Sequence, residues 1–295
     1  MTVRRLVVSA DDFGAAPEVN AAVVRAHREG ILTNASLMVT GDAADEAVRL
    51  ARAHPTLGVG LHLVLAQGRP ASPPARVSRL VRGDGRFRDA AVAAGLRYAW
   101  LWCRRAGYAE LRAEVDAQLA AFARTGLPLS HVDGHLNMHL HPMVLGVLID
   151  LAPRYGVRAV RLTSEPLLPA LRWDGRHVVR RTLEGTVFRV LVRHAAPRLA
   201  AAGIAVPSRV YGMHQTGEVD ERYLEALMAR LPPGASEVYC HPAEGRSSQL
   251  ARYQGAGYRS EAELRALTSR RVRDAARGHG IALVSYHALA GGGPA

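Results

Sequence analysis

Lysine is missing from this chain. Its 295 residues carry 38 basic side chains, all of them arginine, against 26 acids, for a formal net charge of +12. The arginines are scattered, without the one-face cluster or interleaved aromatics that nucleic-acid binding requires. Arginine without lysine, beside abundant Ala, Gly and Val, fits biased codon composition better than a DNA-binding face. No nucleic-acid partner is expected, and an anionic membrane surface matches the charge better. Cysteine is scarce: Cys103 and Cys240 stand far apart, in no CxxC spacing. That excludes a disulfide scaffold and fits a reducing compartment. Long apolar runs are lacking too. None approaches the ~20 residues of a membrane span. The run after Arg4-Arg5 offers only about five apolar residues, too few for a signal-peptide core. A cytoplasmic location is the default that remains.

What is present is ordinary for a globular protein: 48% hydrophobic and 22% charged residues. Apolar runs alternate with amphipathic stretches. Strands are predicted at Leu6–Ala10, Ala35–Val39, Val59–Leu63, Leu129–Asp133, Val157–Leu162, Arg209–Met213, Glu237–Cys240 and Ile281–Ser285. Helices are predicted at Pro17–Glu29, Asp42–His54, Ala109–Arg124, Pro142–Tyr155 and Glu221–Leu231. One more is predicted from Ser260 to His279, where Ser260-Glu261-Ala262-Glu263 reads as a capping box. About eight strands separated by helices imply a parallel sheet. The expected fold is an α/β, TIM-like (β/α) barrel, distorted or seven-stranded, over residues 1–290 as a single catalytic domain with a frayed tail at 291–295. An open doubly wound sheet is the alternative. Residues 66–107 and 163–208 interrupt the alternation as long insertions, of the kind used as lids or binding loops.

The chemistry gathers at strand ends. Asp11 and Asp12 follow the first apolar run, and adjacent carboxylates belong where a strand ends and the chain turns. Like charges that close resist joint ionisation unless a cation or donor intervenes. His62 closes the third strand, Asp133, His135 and His139 follow the fourth, and His241 follows Cys240. Catalytic groups of a parallel barrel sit at the C-terminal strand ends, so four polar clusters at the same end of four strands suggest one metal site. A mixed Asp/His set suits Zn²⁺ by ligand softness, and Mg²⁺ prefers more oxygen. A bound cation, one carboxylate as base and His241 returning a proton to a leaving amine describe metal-assisted hydrolysis.

Ala-Asp-Asp-Phe-Gly at 10–14, Gly-Leu-His-Leu at 60–63, His-Val-Asp-Gly-His-Leu-Asn-Met-His at 131–139 and Cys-His-Pro at 240–242 resemble the YdjC-like (ChbG-type) carbohydrate deacetylases. Order and spacing match to about residue 287. Within that family the Asn137-Met138-His139 wording and the Trp100–Trp102 segment are closest to the hopanoid biosynthesis-associated deacetylases. The resemblance implies a TIM-like barrel, one divalent metal ion and removal of acetyl from an N-acetylated sugar. It implies Asp12, His62 and His135 as metal ligands, Asp11 as base, His241 as acid, and His139 in the substrate pocket. The family is usually described with Mg²⁺, where the ligand chemistry prefers Zn²⁺. For the hopanoid subgroup the implied substrate is an N-acetylglucosaminyl lipid; the alternative is a soluble oligosaccharide such as chitobiose. The sequence departs from ChbG-type members at Leu136 and Asn137, where they carry further histidines.

Asp133 reads as an orienter of a histidine or a substrate contact, and His214, after a strand, as a pocket-lining candidate. The mix of Trp, Tyr, Leu and Arg at 96–105 suggests a lid or peripheral membrane contact at the inner face, or else a helix packed on the barrel. A homo-oligomer is plausible by family analogy. Two other functions compete: a metal-dependent sugar isomerase or epimerase, which needs a second acid/base pair, and a catalytically silent binding protein.

Overall fold

The computed structural model describes residues 3–87, 91–102 and 104–291, without the side chains of Ala91 and Trp102. Cys103 and the expected frayed tail beyond Gly291 lie outside the described residues. Strand β1 (Arg4–Phe13) leads to helix α1 (Pro17–Glu29), β2 (Asn34–Leu37), α2 (Ala44–Ala53) and β3 (Gly58–Leu63). The first insertion supplies α3 (Ala91–Trp102) and runs into α4 (Arg105–Arg124), β4 (Leu129–Gly134), a 3-10 turn (His135–Leu140) and α5 (Pro142–Tyr155). The second supplies α6 (Leu167–Trp173) and α7 (Val178–Ala201). The chain ends through β5 (Arg209–Tyr211), α8 (Glu221–Arg230), β6 (Gly234–Cys240), α9 (Ser260–Thr268), α10 (Arg270–Gly278), β7 (Ile281–Leu283) and α11 (Tyr286–Leu289).

The strands form one parallel sheet in the order β4-β3-β2-β1-β6-β5. Strand β6 accompanies β1 from Arg4↔Gly234 to Ala10↔Cys240. A strand has only two edges, so the other edge of β1 is shared: β7 pairs with Arg4–Leu6 and β2 takes over from Ser9. Single bridges Val132↔Val160 and Ala159↔Ala205 extend the sheet beyond β4 toward the segment that enters β5. The sheet therefore curls into a distorted barrel, as expected, and is not an open doubly wound sheet. The strands are buried almost end to end, which both-face coverage by helices requires.

Three local readings are corrected. Residues 157–162 form bridges rather than a strand, because only Ala159 and Val160 find ladder partners. The helix expected from Ser260 to His279 is two helices. Ser269 breaks it, and its hydroxyl accepts from the amides of Arg271 (3.1 Å) and Val272 (3.4 Å) to start α10. The capping box does not form either. The Ser260 hydroxyl donates to Gln254 Oε1 (2.7 Å), and Glu263 turns inward to other partners. One contiguous apolar core runs from Leu6 to Ile281.

Candidate active site

Strand β1 runs through both aspartates instead of ending before them. Its pairing with β2 slips between Ala10 and Phe13, and Asp12 adopts φ +63°. Ideal alternation would send neighbouring carboxylates to opposite faces. The bulge breaks that alternation, so Asp11 and Asp12 both reach one buried cluster.

Register does the same work between β3 and β4. His62 lies opposite Asp133 in the ladder. The His62 Nδ1–H donates to Asp133 Oδ1 at 2.8 Å, which leaves Nε2 free, 3.6 Å from Asp12 Oδ1. The residue after β4, His135, brings Nδ1 to 3.1 Å from the same oxygen. One ligand atom each from Asp12, His62 and His135 lies within 4.8 Å of the other two. His135 Nε2 is buried and has no hydrogen-bond partner among the described residues. His135 leads a turn in which Leu136 and Asn137 both take left-handed φ, 55° and 56°. That is uncommon for a side chain like leucine, and such strain clusters at functional sites.

On the other side, His241 Nε2 stands 3.9 Å from Asp11 Oδ2. The His241 amide is held by Glu263, whose second oxygen accepts from Val219 N–H at 2.9 Å. The structure thus gathers Asp11, Asp12, His62, Asp133, His135 and His241 at the C-terminal ends of β1, β3, β4 and β6.

The chain matches the YdjC-like protein family over residues 5–277. It belongs to that family. A protein named Carbohydrate deacetylase from Geobacillus stearothermophilus is 35% identical over 243 residues, 81% of this chain and 80% of the relative. One of the same name from Brevibacillus brevis is 43% identical over 156 residues, 52% of this chain. That match spans 57% of the relative, so it speaks for little more than half its length. A third, from Thermoanaerobacter pseudethanolicus, is 26% identical over 97% of this chain and 100% of the relative. Among solved structures, one from Enterococcus faecalis V583, provisionally assigned to cellobiose-phosphate cleavage, superposes with a TM-score of 0.74 at 24% identity. It covers 98% of this chain and 99% of its own, and supports the fold.

The family motifs leave out the cluster's main cation. Arg161 is buried, and its guanidinium meets Asp11 through two parallel bonds (2.7 and 2.8 Å), Asp133 (2.7 Å) and Glu237 (2.9 Å). It also lies 4.5 Å over the Tyr239 ring. Ser9 donates to Glu237 (2.7 Å) and Ser36 to Asp133 (2.8 Å). By sequence pattern Arg161 and Glu237 are strand residues and Glu263 belongs to a capping box. An ionisable residue inside an apolar run is the one local sign that Arg161 and Glu237 carry, and it names no partner. His131 is a satisfied neighbour, 2.8 Å from Ser130 Oγ and stacked on Tyr286 at 4.1 Å. Gly60 makes room for it, since a Cβ there would lie 2.3 Å from the His131 ring.

Charge in the cluster is unbalanced. Four buried carboxylates, Asp11, Asp12, Asp133 and Glu237, share the cluster with one guanidinium, which meets all of them but Asp12. Burial pushes Asp12 up, but the imidazoles of His135, His241 and His62 outweigh it and hold the carboxyl below its usual range. Burial pushes Asp133 up as well, and Arg161 and His62 hold it well below that range. Burial lowers His62, yet Asp133, Asp11 and Asp12 raise it to about 9. The carboxylates around His62 thus favour positive charge at this point. The donor set fits a divalent cation: Asp12, His62 Nε2 and His135 would hold it, with His62 oriented by Asp133.

The remaining candidates lie off this cluster. His139 is fully buried within the turn, where Nε2 donates to the Arg161 carbonyl at 2.9 Å, and burial lowers its pKa to about 4. His214 lies against the second insertion, near Gly185 and Leu167, and among the described residues neither ring nitrogen has a partner. Burial, with Arg181 and Arg180 nearby, lowers it to about 4.

Proposed function

We propose that this protein is a metal-dependent carbohydrate N-deacetylase. The carrying observation is the convergence of Asp12, His62 and His135 within 4.8 Å, flanked by Asp11 and His241. The relatives named Carbohydrate deacetylase support the reaction class. Bound at the Asp/His/His set, a divalent cation would polarise the acetamide carbonyl and acidify water. Zn²⁺ suits the two imidazoles better than Mg²⁺ does.

Asp11 is the base. Arg161 clamps both its oxygens, and each keeps a lone pair for a water proton. His241 is the acid. Burial lowers its pKa, so the imidazolium, once formed, gives up its proton readily to the departing amine. Asp133 orients His62 and connects it to Arg161. His139 ties its turn to the Arg161 carbonyl, and His214 lines the approach from the second insertion.

The substrate is an N-acetylglucosamine unit, and the hopanoid-type wording around Asn137 favours a glycolipid. Asn137 accepts from Thr163 Oγ1 at 2.7 Å, which ties the turn to the second insertion. The alternative acceptor is a soluble chitobiose-like sugar. The test is acetate release from an N-acetylglucosaminyl lipid and from N-acetylated chitobiose. It uses metal-stripped protein with Zn²⁺ or Mg²⁺ restored, beside His62→Ala. Metal-dependent release that disappears in His62→Ala is expected, and the better substrate decides the acceptor. Metal bound without release from either substrate would return the weight to an isomerase or a binding protein.

A further inference from the structure

Helix α7 carries an apolar face that the fold does not use. Val179 (75% exposed), Leu183 (64%), Val187 and Val190 (64%) all face solvent. At 100° per residue they fall within about 80° of arc, a single stripe. The barrel is served by other residues of the helix: Phe188, Leu191, Val192, Ala195 and Leu199 pack on the core. Exposed arginines border the stripe, Arg180 on one flank and Arg189 and Arg193 on the other, and Arg198 continues the first flank two turns beyond it. The helix has one acid, Glu184, 3.8 Å from Arg180. At the N-terminal end of the stripe, Val178, Val179 and Leu183 line an open concavity of about 680 Å³.

Helix α3 repeats the pattern. Val92, Leu96 and Trp100 are exposed at i, i+4 and i+8, and the Arg104 guanidinium lies 4.0 Å over the Trp100 ring. Both α3 and α7 pack against the 3-10 turn that begins at His135 and against α5. The two helices that carry the stripes therefore flank the element that delivers a candidate metal ligand.

We propose that α7, together with α3, docks the protein on an anionic phospholipid surface. An apolar stripe between arginine rows is the form of a helix lying in a membrane interface. The charge selects this occupant over a second copy of the chain. Two α7 stripes placed face to face would bring arginine rows together with only Glu184 to offset them, on a chain of net charge +12. Anionic headgroups complement the same rows. Docking here needs no deacetylase activity, though it would bring a glycolipid headgroup to the site.

The test is co-flotation of the full chain with vesicles of mixed phosphatidylglycerol and phosphatidylcholine, against phosphatidylcholine alone. Binding to the anionic vesicles, weakened by salt, is expected. Val179→Ser/Leu183→Ser/Val187→Ser/Val190→Ser should abolish it. Arg189→Glu/Arg193→Glu, which leaves the apolar stripe intact, should weaken it about fivefold or more per arginine. Acetate release from soluble N-acetylated chitobiose should be unchanged in both variants. Wild type that ignores the anionic vesicles, or a serine variant that binds as wild type does, overturns the proposal. So does a wild-type dimer that the serine variant converts to monomer without vesicle binding. Flotation without acetate release supports the docking surface and removes only the deacetylase reading.

Discussion

A guanidinium buried among carboxylates loses its water, and only close partners offset that cost. Arg161 has three, and each is buried with it. Arg161→Met should leave Asp11, Asp133 and Glu237 facing one another without the guanidinium that joins them. A loss of ~3–5 kcal/mol is expected in urea unfolding; a loss under ~1 kcal/mol would mean that the three carboxylates find other compensation. Asp133 has a separate duty toward His62. Asp133→Asn keeps an acceptor for Nδ1–H but removes the charge that polarises the ring. Metal affinity should fall ~10–100-fold in chelator competition, and an unchanged affinity would show that His62 needs no orienting carboxylate. At this scale the sequence was legible where an ionisable group closes an apolar run: Asp11, Asp12, His62, His135 and His241. It was opaque for Arg161, Glu237 and Glu263, whose roles depend on partners 76, 150 and 22 residues away. No local pattern announces such partners.

Periodicity carried further for elements than for their ends. The spacing that predicted α1 matches its buried Val19, Ala22, Val23 and Ala26, and Leu111, Val115, Leu119 and Phe122 of α4 are likewise buried. These faces are local properties of the sequence. The bridged segment at 157–162 looked like a strand because it is apolar, but strand identity also requires neighbours in register. The β1 bulge was only partly legible: paired aspartates implied a turn, not a continuing strand with one residue left-handed. The break between α9 and α10 turns on one hydroxyl. Ser269 caps α10 and donates to Glu221 in the first turn of α8. Ser269→Ala should cost ~1–2 kcal/mol of stability, measured by chemical denaturation. If the loss is negligible, the helix break is set by packing around it and not by the cap.

The second insertion is fastened to the barrel through a carboxyl that would rather be neutral. Glu165 precedes α6. It accepts from the His214 amide after β5 (2.9 Å) and from the Tyr223 hydroxyl of α8 (3.4 Å), so one group joins insertion, sheet edge and helix layer. Burial raises its pKa from 4.5 to about 7, against the backbone amides that pull it down. The consequence for the whole molecule has a definite sign. Below about pH 4.5 the carboxyl is protonated whether the chain is folded or not. Between there and about pH 7 the unfolded chain gives up the proton while the folded chain keeps it. Stability therefore falls as pH rises through that window and levels off above it. The shift corresponds to roughly 3 kcal/mol. Glu263, raised by burial to about 8, adds a loss of the same sign. A comparison with Glu165→Gln cancels that background, since Glu263 is present in both proteins. The variant lacks the titrating proton, so its stability relative to wild type should improve by roughly 2 kcal/mol between pH 5 and pH 8. A difference that stays constant across those two pH values would show that Glu165 ionises in the fold as freely as in the unfolded chain.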